Sequence, residues 1–165
     1  MTRSIKSELK TQLIQLQGQM CWGTSIGPRL GTVISIYFGR KTAKNKIPGN
    51  TNSLYEIRDQ NLIHFLIECV WRIDSKTNII CGAYDGKSKD GRMENGLREL
   101  YGQEVISVNF TEPAFDLELG FANGLILRVF CSATSKEDDA DNYNLYMDNG
   151  IISVERNSRL RRHER

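Results

Sequence analysis

Four polar residues interrupt an apolar run near the middle of the chain, and their types are those that perform chemistry. The stretch LIHFLIECVWRID (62–74) places His64, Glu68, Cys69 and Arg72 among large apolar side chains. A histidine close to a cysteine or a carboxylate can serve nucleophilic or general acid–base catalysis. Whether these four residues meet depends on the element that carries them, because that element decides which side chains share a face.

Strict alternation of side chains predicts a β-strand here. One face is apolar and comprises Ile63, Phe65, Ile67, Cys69, Trp71 and Ile73, and we expect it to be sealed into the core. The other face comprises Leu62, His64, Leu66, Glu68, Val70 and Arg72. On one strand, residues four apart are separated by about 13 Å. We therefore expect His64, Glu68 and Arg72 to pair with neighbouring strands as a half-solvated face, and we assign no catalytic residue.

The remaining elements follow from periodicity and turn signals. SIKSELKTQLIQLQG (4–18) and MENGLRELYG (93–102) predict helices that stop at Gly18 and Gly102, the second with Asn95 as its N-cap. Asn-Gly pairs at 123–124 and 149–150 predict hairpin turns. Strands are predicted at 20–26, 32–38, 61–73, 78–84, 104–110, 115–121, 125–131, 143–147 and 151–154.

A short motif occurs twice and suggests internal duplication. Leu-x-x-Leu-x-Gly-Gln begins at Leu13 and again at Leu97, an offset of 84 residues, and similar apolar strands follow each copy. We predict an α+β fold made of two tandem helix-plus-antiparallel-meander repeats that share one core. The predicted organisation is a single domain (1–155) of two similar halves (1–84 and 93–155), followed by a basic tail (156–165).

Charge and composition narrow the classes of partner. The net charge of +2 is divided between a tail of +4, RNSRLRRHER, and a body of −2. The body has no basic excess suited to phosphates, so a nucleic-acid partner is disfavoured. We expect the tail to be a disordered or short helical end. The alternatives are that its charge gives affinity for a nucleic acid or an acidic partner, or that it covers the acidic body.

Cysteine spacing and apolar run length bear on compartment and cofactors. Cys21, Cys69, Cys81 and Cys131 lack close pairing, which favours buried reduced thiols over a disulfide or a four-cysteine zinc site. No apolar run is long enough to span a membrane, and the N-terminus does not have the pattern of a signal peptide. We expect a cytoplasmic protein with no metal and no cofactor.

Several of these segments also carry a family resemblance. The stretch LIHFLIECVWRID followed by NIICGAYD resembles a strand pair in an uncharacterised family of small bacterial α+β proteins with a Trp-Arg-Ile strand motif. Further matches are Trp22, the YFG of 37–39, the L-x-G-x-x-V of 100–105, LELGFANG (117–124) and YNLYM (143–147). The family has no established activity. By analogy of type, small β-rich proteins of this kind often occur among immunity proteins, which bind and block bacterial toxins.

We therefore expect a non-enzymatic protein-binding module, in its most concrete form an immunity-like inhibitor of a bacterial toxin or effector. The candidate binding residues are Glu68, Arg72, Glu137, Asp138, Asp139 and Asp141. An alternative is a small-ligand binder or enzyme with a pocket between the two repeats, for which the candidate lining residues are Trp22, His64 and Trp71. A third alternative is a homo-oligomer formed through exposed sheet edges.

Overall fold

The computed structural model describes residues 4–27, 33–39, 63–132 and 141–164, and in these ranges the chain has an α+β fold with two antiparallel sheets and two helices. The helices are α1 (Ile5–Ile14) and α2 (Arg92–Arg98). The first sheet has the order β1 (Met20–Ile26), β2 (Ile34–Gly39), β3 (Ile63–Ile67), β9 (Tyr143–Met147), β10 (Gly150–Val154) and β11 (Leu160–His163). The second has the order β5 (Ile79–Gly82), β4 (Val70–Asp74), β8 (Ile126–Phe130), β7 (Asp116–Phe121) and β6 (Val105–Thr111).

Helix α1 forms where the apolar spacing predicts it. The Ser4 hydroxyl accepts a hydrogen bond from the Ser7 N–H at 3.2 Å and so caps the helix N-terminus. Leu9 and Leu13 are completely buried on one face. The turn after the helix ends at Gly18, whose φ of +84° is a left-handed conformation that favours glycine.

Helix α2 begins earlier than its sequence suggests, and the prediction of Asn95 as its N-cap is wrong. The helix starts at Arg92, after Gly91, and Asn95 lies within it. Its start is held by the Glu94 carboxylate, which accepts a hydrogen bond from the Asp90 N–H at 2.7 Å. The Asn95 side chain donates to the Asp90 carbonyl at 2.8 Å. Asn95 therefore also stabilises the first turn, although the residue lies within the helix.

The predicted continuous strand over 61–73 is wrong, because the chain changes sheets in its middle. Strand β3 ends at Ile67 in the first sheet and β4 begins at Val70 in the second. The N–H groups of Glu68 and Cys69 both donate to the Asn142 carbonyl, at 3.0 and 3.1 Å, and hold this crossover. Alternation survives the crossover, so the predicted burial of the apolar face is confirmed on both sides of it.

The two sheets meet where β1 and β6 begin. Met20 and Glu104 form a single antiparallel bridge there. Four backbone hydrogen bonds surround it: Gly18 N to Val105 O (2.8 Å), Gly102 N to Cys21 O (2.7 Å), Cys21 N to Gln103 O (2.9 Å) and Val105 N to Gln19 O (2.8 Å). The four bonds form two pairs that are related by an offset of 84 residues. Moving one partner 84 positions forward and the other 84 positions back converts the first bond into the second, and the third into the fourth.

A single apolar core fills the space between the sheets and draws on both helices. Trp71 is the largest of the fully buried side chains in this core and is only 1% exposed. Phe38 of β2 and Phe121 of β7 are fully buried and stack across the core with ring centroids 6.5 Å apart. Burial of side chains this large supplies most of the driving force for a fold of this kind.

Both Asn-Gly hairpins are confirmed. Gly124, between β7 and β8, has a φ of +85°, and Gly150, the first residue of β10 after its turn from β9, has a φ of +131°. Tight hairpin turns need left-handed residues because their twist must match that of the strands. A Cβ at Gly150 would lie 2.8 Å from the His163 carbonyl oxygen, so a side chain is also excluded there by space.

The basic tail is folded against the body, and the expectation of a disordered or helical end is wrong for residues 156–164. A 3₁₀ turn (Arg156–Ser158) leads into β11, which pairs with β10 at the edge of the first sheet. Arg161 pairs with Glu155 at 2.9 Å, and Arg162 pairs with Glu8 of α1 at 3.0 Å. Tail charge therefore covers acidic groups of the body. Neither helix of the described ranges has the length and apolarity needed to cross a membrane.

Candidate functional site

Three aromatic rings form a column on the face of the first sheet that points away from the core. Tyr37, His64 and Tyr146 occupy matching register positions on β2, β3 and β9. The His64 ring lies between the two tyrosines, with centroid distances of 4.8 Å to each and nearly parallel planes. Its Nε2 is 2.9 Å from the Ser35 hydroxyl. His64 is thus held rigidly by stacking and by a hydrogen bond.

A chain of polar side chains continues along the same face toward the crossover. The Asn144 amide donates to the Glu68 carboxylate at 3.0 Å. The Ser153 hydroxyl donates in turn to the Asn144 amide oxygen. Asn144 and Ser153 are 5% and 1% exposed, so each needs the other to satisfy its hydrogen bonding. This chain fixes the position of the Glu68 carboxylate at the end of β3.

A second carboxylate lies beside Glu68. Burial, followed by the charge of Asp141, raises the pKa of the Glu68 carboxyl, and a hydrogen bond from Asn144 opposes that rise. Burial also raises the pKa of Asp141, with Glu155 adding to the rise and an Asn144 hydrogen bond opposing it. We call Glu68, Asp141 and Glu155 the acidic corner. Arginines of the tail offset part of this charge, since Arg156 opposes the rise at Glu68, and Arg161 opposes the rise at Asp141 and pairs with Glu155. Partial burial still raises the pKa of both Glu68 and Asp141, so their ionised forms cost folding energy.

The structure separates Arg72 from the residues with which the sequence grouped it. His64 and Glu68 lie on the outer side of the first sheet, whereas Arg72 lies on the outer side of the second. There the Arg72 guanidinium pairs with Asp74 at 2.8 Å and lies over the Phe130 ring, 5.5 Å from its centroid. Arg128 pairs with the other oxygen of Asp74, also at 2.8 Å. The predicted single row of His64, Glu68 and Arg72 does not exist.

The three pocket candidates do not come together. Trp71 is a core residue of the second sheet, and His64 lies on the opposite side of the first sheet from that core. Trp22 is 7% exposed and sits at a bulge in β1, where the register with β2 shifts between Cys21 and Gly23. Of the predicted binding residues, Glu68 and Asp141 are brought together. Glu137, Asp138 and Asp139 lie outside the described residues.

A cleft that the sequence did not indicate lies between β1 and the segment leading into α2. Its volume is about 340 Å³, and its lining residues are Thr24, Ser25, Ile26, Lys87, Lys89, Glu94, Leu97 and Tyr101. The Lys87 ammonium donates to the Gly27 carbonyl at 3.2 Å, and the Thr24 hydroxyl donates to the Tyr101 hydroxyl at 3.1 Å. The two contacts join residues 60 and 77 positions apart in the chain, so no local motif could have revealed them.

The described ranges contain no group of three or more histidine, cysteine, aspartate or glutamate side chains that could hold a metal ion. Cys21, Cys69 and Cys81 are buried free thiols, and Cys131 is a half-buried one. Burial raises the pKa of the Cys21 thiol to about 12, as it does that of Cys81. These two thiols therefore stay protonated and unreactive near neutral pH.

The acidic corner gives a first testable prediction. An acid whose pKa is raised by folding binds more protons in the folded state than in the unfolded state. Ionisation of Glu68 therefore lowers the free energy of unfolding as the pH rises from the pKa of the unfolded state to the raised pKa of the folded state. We expect Glu68→Gln to stabilise the protein slightly at pH 7, by about 0.5 kcal/mol because solvent screens a half-buried group. The amide oxygen of the new glutamine can still accept the hydrogen bond from Asn144.

The gain should shrink as the pH falls from the raised pKa toward the ordinary glutamate value of 4.5, and it should be absent below that value, because Glu68 is then protonated in both states. Urea denaturation of both proteins between pH 4 and pH 8 measures this. Glu99→Gln on the exposed turn after α2 is the matched control. A Glu68→Gln effect that does not change with pH would contradict the assignment.

Comparison with protein-family models, with curated proteins and with solved structures gives no match. Function therefore has to be inferred from the geometry of the chain itself.

Proposed function

We propose that this chain is a non-enzymatic protein-binding module that docks a partner on the outer face of its first sheet, at the acidic corner. The observation that carries the proposal is the placement of Glu68 and Asp141 in partly desolvated surroundings that raise the pKa of both carboxyls, with the charge of Asp141 adding to the rise at Glu68. Groups that destabilise the free protein are often retained because they are used in binding. A lysine or arginine of a partner would relieve both carboxylates at once.

The neighbouring aromatic column suits the same role. Tyr37 and Tyr146 are partly exposed, and their positions are fixed by stacking on His64. Tyrosine is enriched at the energetic centres of interfaces because it offers a large contact area and loses little conformational entropy. The predicted partner surface is therefore basic, with an apolar patch beside the charge, and its approach would be accelerated by electrostatic attraction.

The most concrete form of the proposal is an immunity-like inhibitor that covers the active site of a bacterial toxin or effector in the cytoplasm. Its support is the resemblance of the 62–84 segment to a family of small bacterial proteins of that type. Likeness of type is weaker support than the geometry of the corner, since one fold can host many functions.

We also infer that the chain arose by tandem duplication. Support comes from the hydrogen bonds around the Met20–Glu104 bridge, in which residues 84 positions apart exchange places. The first strand of each half carries a bulge at the matching position, between Cys21 and Gly23 and between Val105 and Ser107. Chance would not favour the same irregularity at the same offset.

The cleft beside β1 favours a second candidate function, the binding of a small anionic molecule. It lies between segments of the two halves, and Lys87 and Lys89 contribute two ammonium groups to its lining. Glu94, the acidic residue of the lining, pairs with Arg98 at 2.9 Å, which offsets its charge. A carboxylate or phosphate ligand would be held by the ammonium groups and the nearby hydroxyls.

Affinity capture with a charge-reversed variant tests the main proposal. The double variant Glu68→Lys/Asp141→Lys should lose a partner that copurifies stoichiometrically with the wild-type chain. We expect the dissociation constant to rise at least tenfold, which corresponds to about 1.4 kcal/mol. The control Glu99→Lys/Glu104→Lys makes the same change in net charge at exposed positions away from the corner and should bind normally.

A partner that binds the corner variant as tightly as the wild type would overturn the proposal. Loss of binding in both double variants would show that net charge alone is responsible, which also contradicts it. For the cleft, Lys87→Gln/Lys89→Gln should abolish any stabilisation by small anions in a thermal-shift screen, while the corner variant retains it.

A further inference from the structure

Cys69 and Cys131 lie just outside the adjoining ends of two neighbouring antiparallel strands. Val70 of β4 pairs with Phe130 of β8, and each cysteine lies one residue beyond that pair. Antiparallel partners have their side chains on the same face and their Cα atoms about 4.5–5.5 Å apart. A disulfide requires a Cα separation of about 4.4–6.8 Å, so the register, continued one residue past Val70 and Phe130, is compatible with a bond between the two cysteines.

The backbone holds both cysteines in place without joining them to each other. The Cys69 N–H donates to the Asn142 carbonyl at 3.1 Å, and the Cys131 N–H donates to the Asp116 carboxylate at 2.6 Å. Neither amide donates to the other cysteine, so the two residues have the non-hydrogen-bonded arrangement of an antiparallel pair. In that arrangement the two Cα atoms are closer together.

The two thiols also interact. A hydrogen bond with the Cys69 side chain, followed by burial, raises the pKa of the Cys131 thiol, so little thiolate forms near neutral pH and its attack on an oxidant is slow there. The Cys131 Sγ also donates to the Phe115 carbonyl at 3.6 Å. Cys131 is half-buried and Cys69 is 8% exposed, so Cys131 is the more accessible of the two thiols.

We propose that Cys69 and Cys131 are a redox-active dithiol that closes to an intramolecular disulfide when the folded protein meets a small-molecule disulfide such as oxidised glutathione. The Cys131 thiolate attacks one sulfur of the oxidant, forming a mixed disulfide and releasing one glutathione thiol. The Cys69 thiolate then attacks the Cys131 sulfur and expels the second. Two protein thiols are oxidised, one oxidant disulfide is reduced to two thiols, and the two thiol protons are transferred to the products.

The bond would join the two crossovers between the sheets. Residues 68–69 carry the chain from β3 to β4, and residue 131 begins the passage from β8 to β9. A bond from Cys69 to Cys131 closes a loop of 62 residues, long enough to restrict the unfolded chain strongly. Closure would also fix the peptide of Glu68, so the acidic corner becomes more rigid in the oxidised protein.

The test uses the full chain under native conditions. Reduced protein incubated with oxidised glutathione at pH 8.5 should lose two hydrogen atoms in mass, and peptide mapping should find the Cys69–Cys131 linkage. The melting temperature should rise by roughly 10 °C, since long-loop disulfides act mainly on the unfolded state. Oxidation should accelerate as the pH is raised, because the thiolate is the attacking species.

Matched variants make the result decisive. Cys21→Ala/Cys81→Ala should oxidise like the wild type, whereas Cys69→Ser should stop at a stable glutathione adduct on Cys131. Peptide mapping of the wild-type protein provides the answer even where a variant folds poorly. Failure to form the bond at pH 8.5, or linkage of a different cysteine pair, would overturn the proposal. Neither outcome depends on the protein-binding function.

Discussion

Trp71→Ala is expected to lower the free energy of unfolding by about 3–5 kcal/mol, the usual cost of truncating a large buried aromatic side chain. Trp71 is 1% exposed and belongs to the central apolar cluster. Replacement by alanine removes its dispersion contacts and leaves a cavity that the surrounding strands can fill only in part. Urea denaturation monitored by far-ultraviolet circular dichroism measures the loss.

Two controls separate this result from a role in ligand binding. Trp71→Phe keeps most of the apolar volume and should cost clearly less than Trp71→Ala. Ile106→Ala, at a position 52% exposed on β6, should change stability by less than about 0.5 kcal/mol. If Trp71 lined an open pocket instead, its alanine variant would behave like the Ile106 variant, and that outcome would contradict the structure.

Gly96→Ala is expected to destabilise the protein by roughly 1–3 kcal/mol, although alanine is the better helix former. Gly96 lies in α2 and faces β5, and a Cβ there would collide with the Cys81 sulfur and lie 2.8 Å from the Cys81 Cβ. Cβ atoms in folded proteins do not approach other atoms this closely, so the helix must move away from the sheet. Denaturant unfolding of the single variant measures the cost.

The Cys81→Gly background provides the control for this contact. It removes both atoms that a new Cβ at position 96 would meet first, and the next neighbour, Ile80, is 3.2 Å away. In that background, Gly96→Ala should be neutral or stabilising, because the helix-propensity gain of about 0.5–1 kcal/mol is no longer outweighed. The sign of the effect should therefore reverse. An equal loss in both backgrounds would mean that the helix contacts the sheet differently.

The sequence predicts the local structure well wherever a residue acts through its own segment. Burial of Ile63 to Ile73 at every second position, the stop at Gly18 and the turn at Gly124 all follow from side-chain alternation or from backbone conformation. These signals are local, and tertiary contacts do not alter them.

The sequence could not predict the crossover at Glu68 and Cys69, because a change of sheet that preserves alternation leaves no trace in the pattern. The start of α2 was misplaced for a related reason: Asn95 is a good N-cap by type, but Glu94 and Asp90 already hold the first turn.

The candidate site was predicted only in part. Glu68 and Asp141 were both proposed as contacts, but their meeting depends on the pairing of β3 with β9, whose residues are far apart in the chain. The separation of Arg72 from Glu68 follows from the same crossover. Lys87, Lys89 and Thr24 were missed because ordinary lysines and threonines carry no signal until a fold brings them around a cleft.

The crossovers also constrain how the molecule comes apart. The meander β1–β2–β3 is extended by the hairpin β9–β10, and the meander β6–β7–β8 is extended by the hairpin β4–β5. Each half of the chain thus lends a hairpin to the sheet of the other, so neither half has a finished sheet of its own. If the two halves of one molecule separate, each sheet loses one hairpin. The same hairpin from a second copy can take its place, which is the geometry of three-dimensional domain swapping.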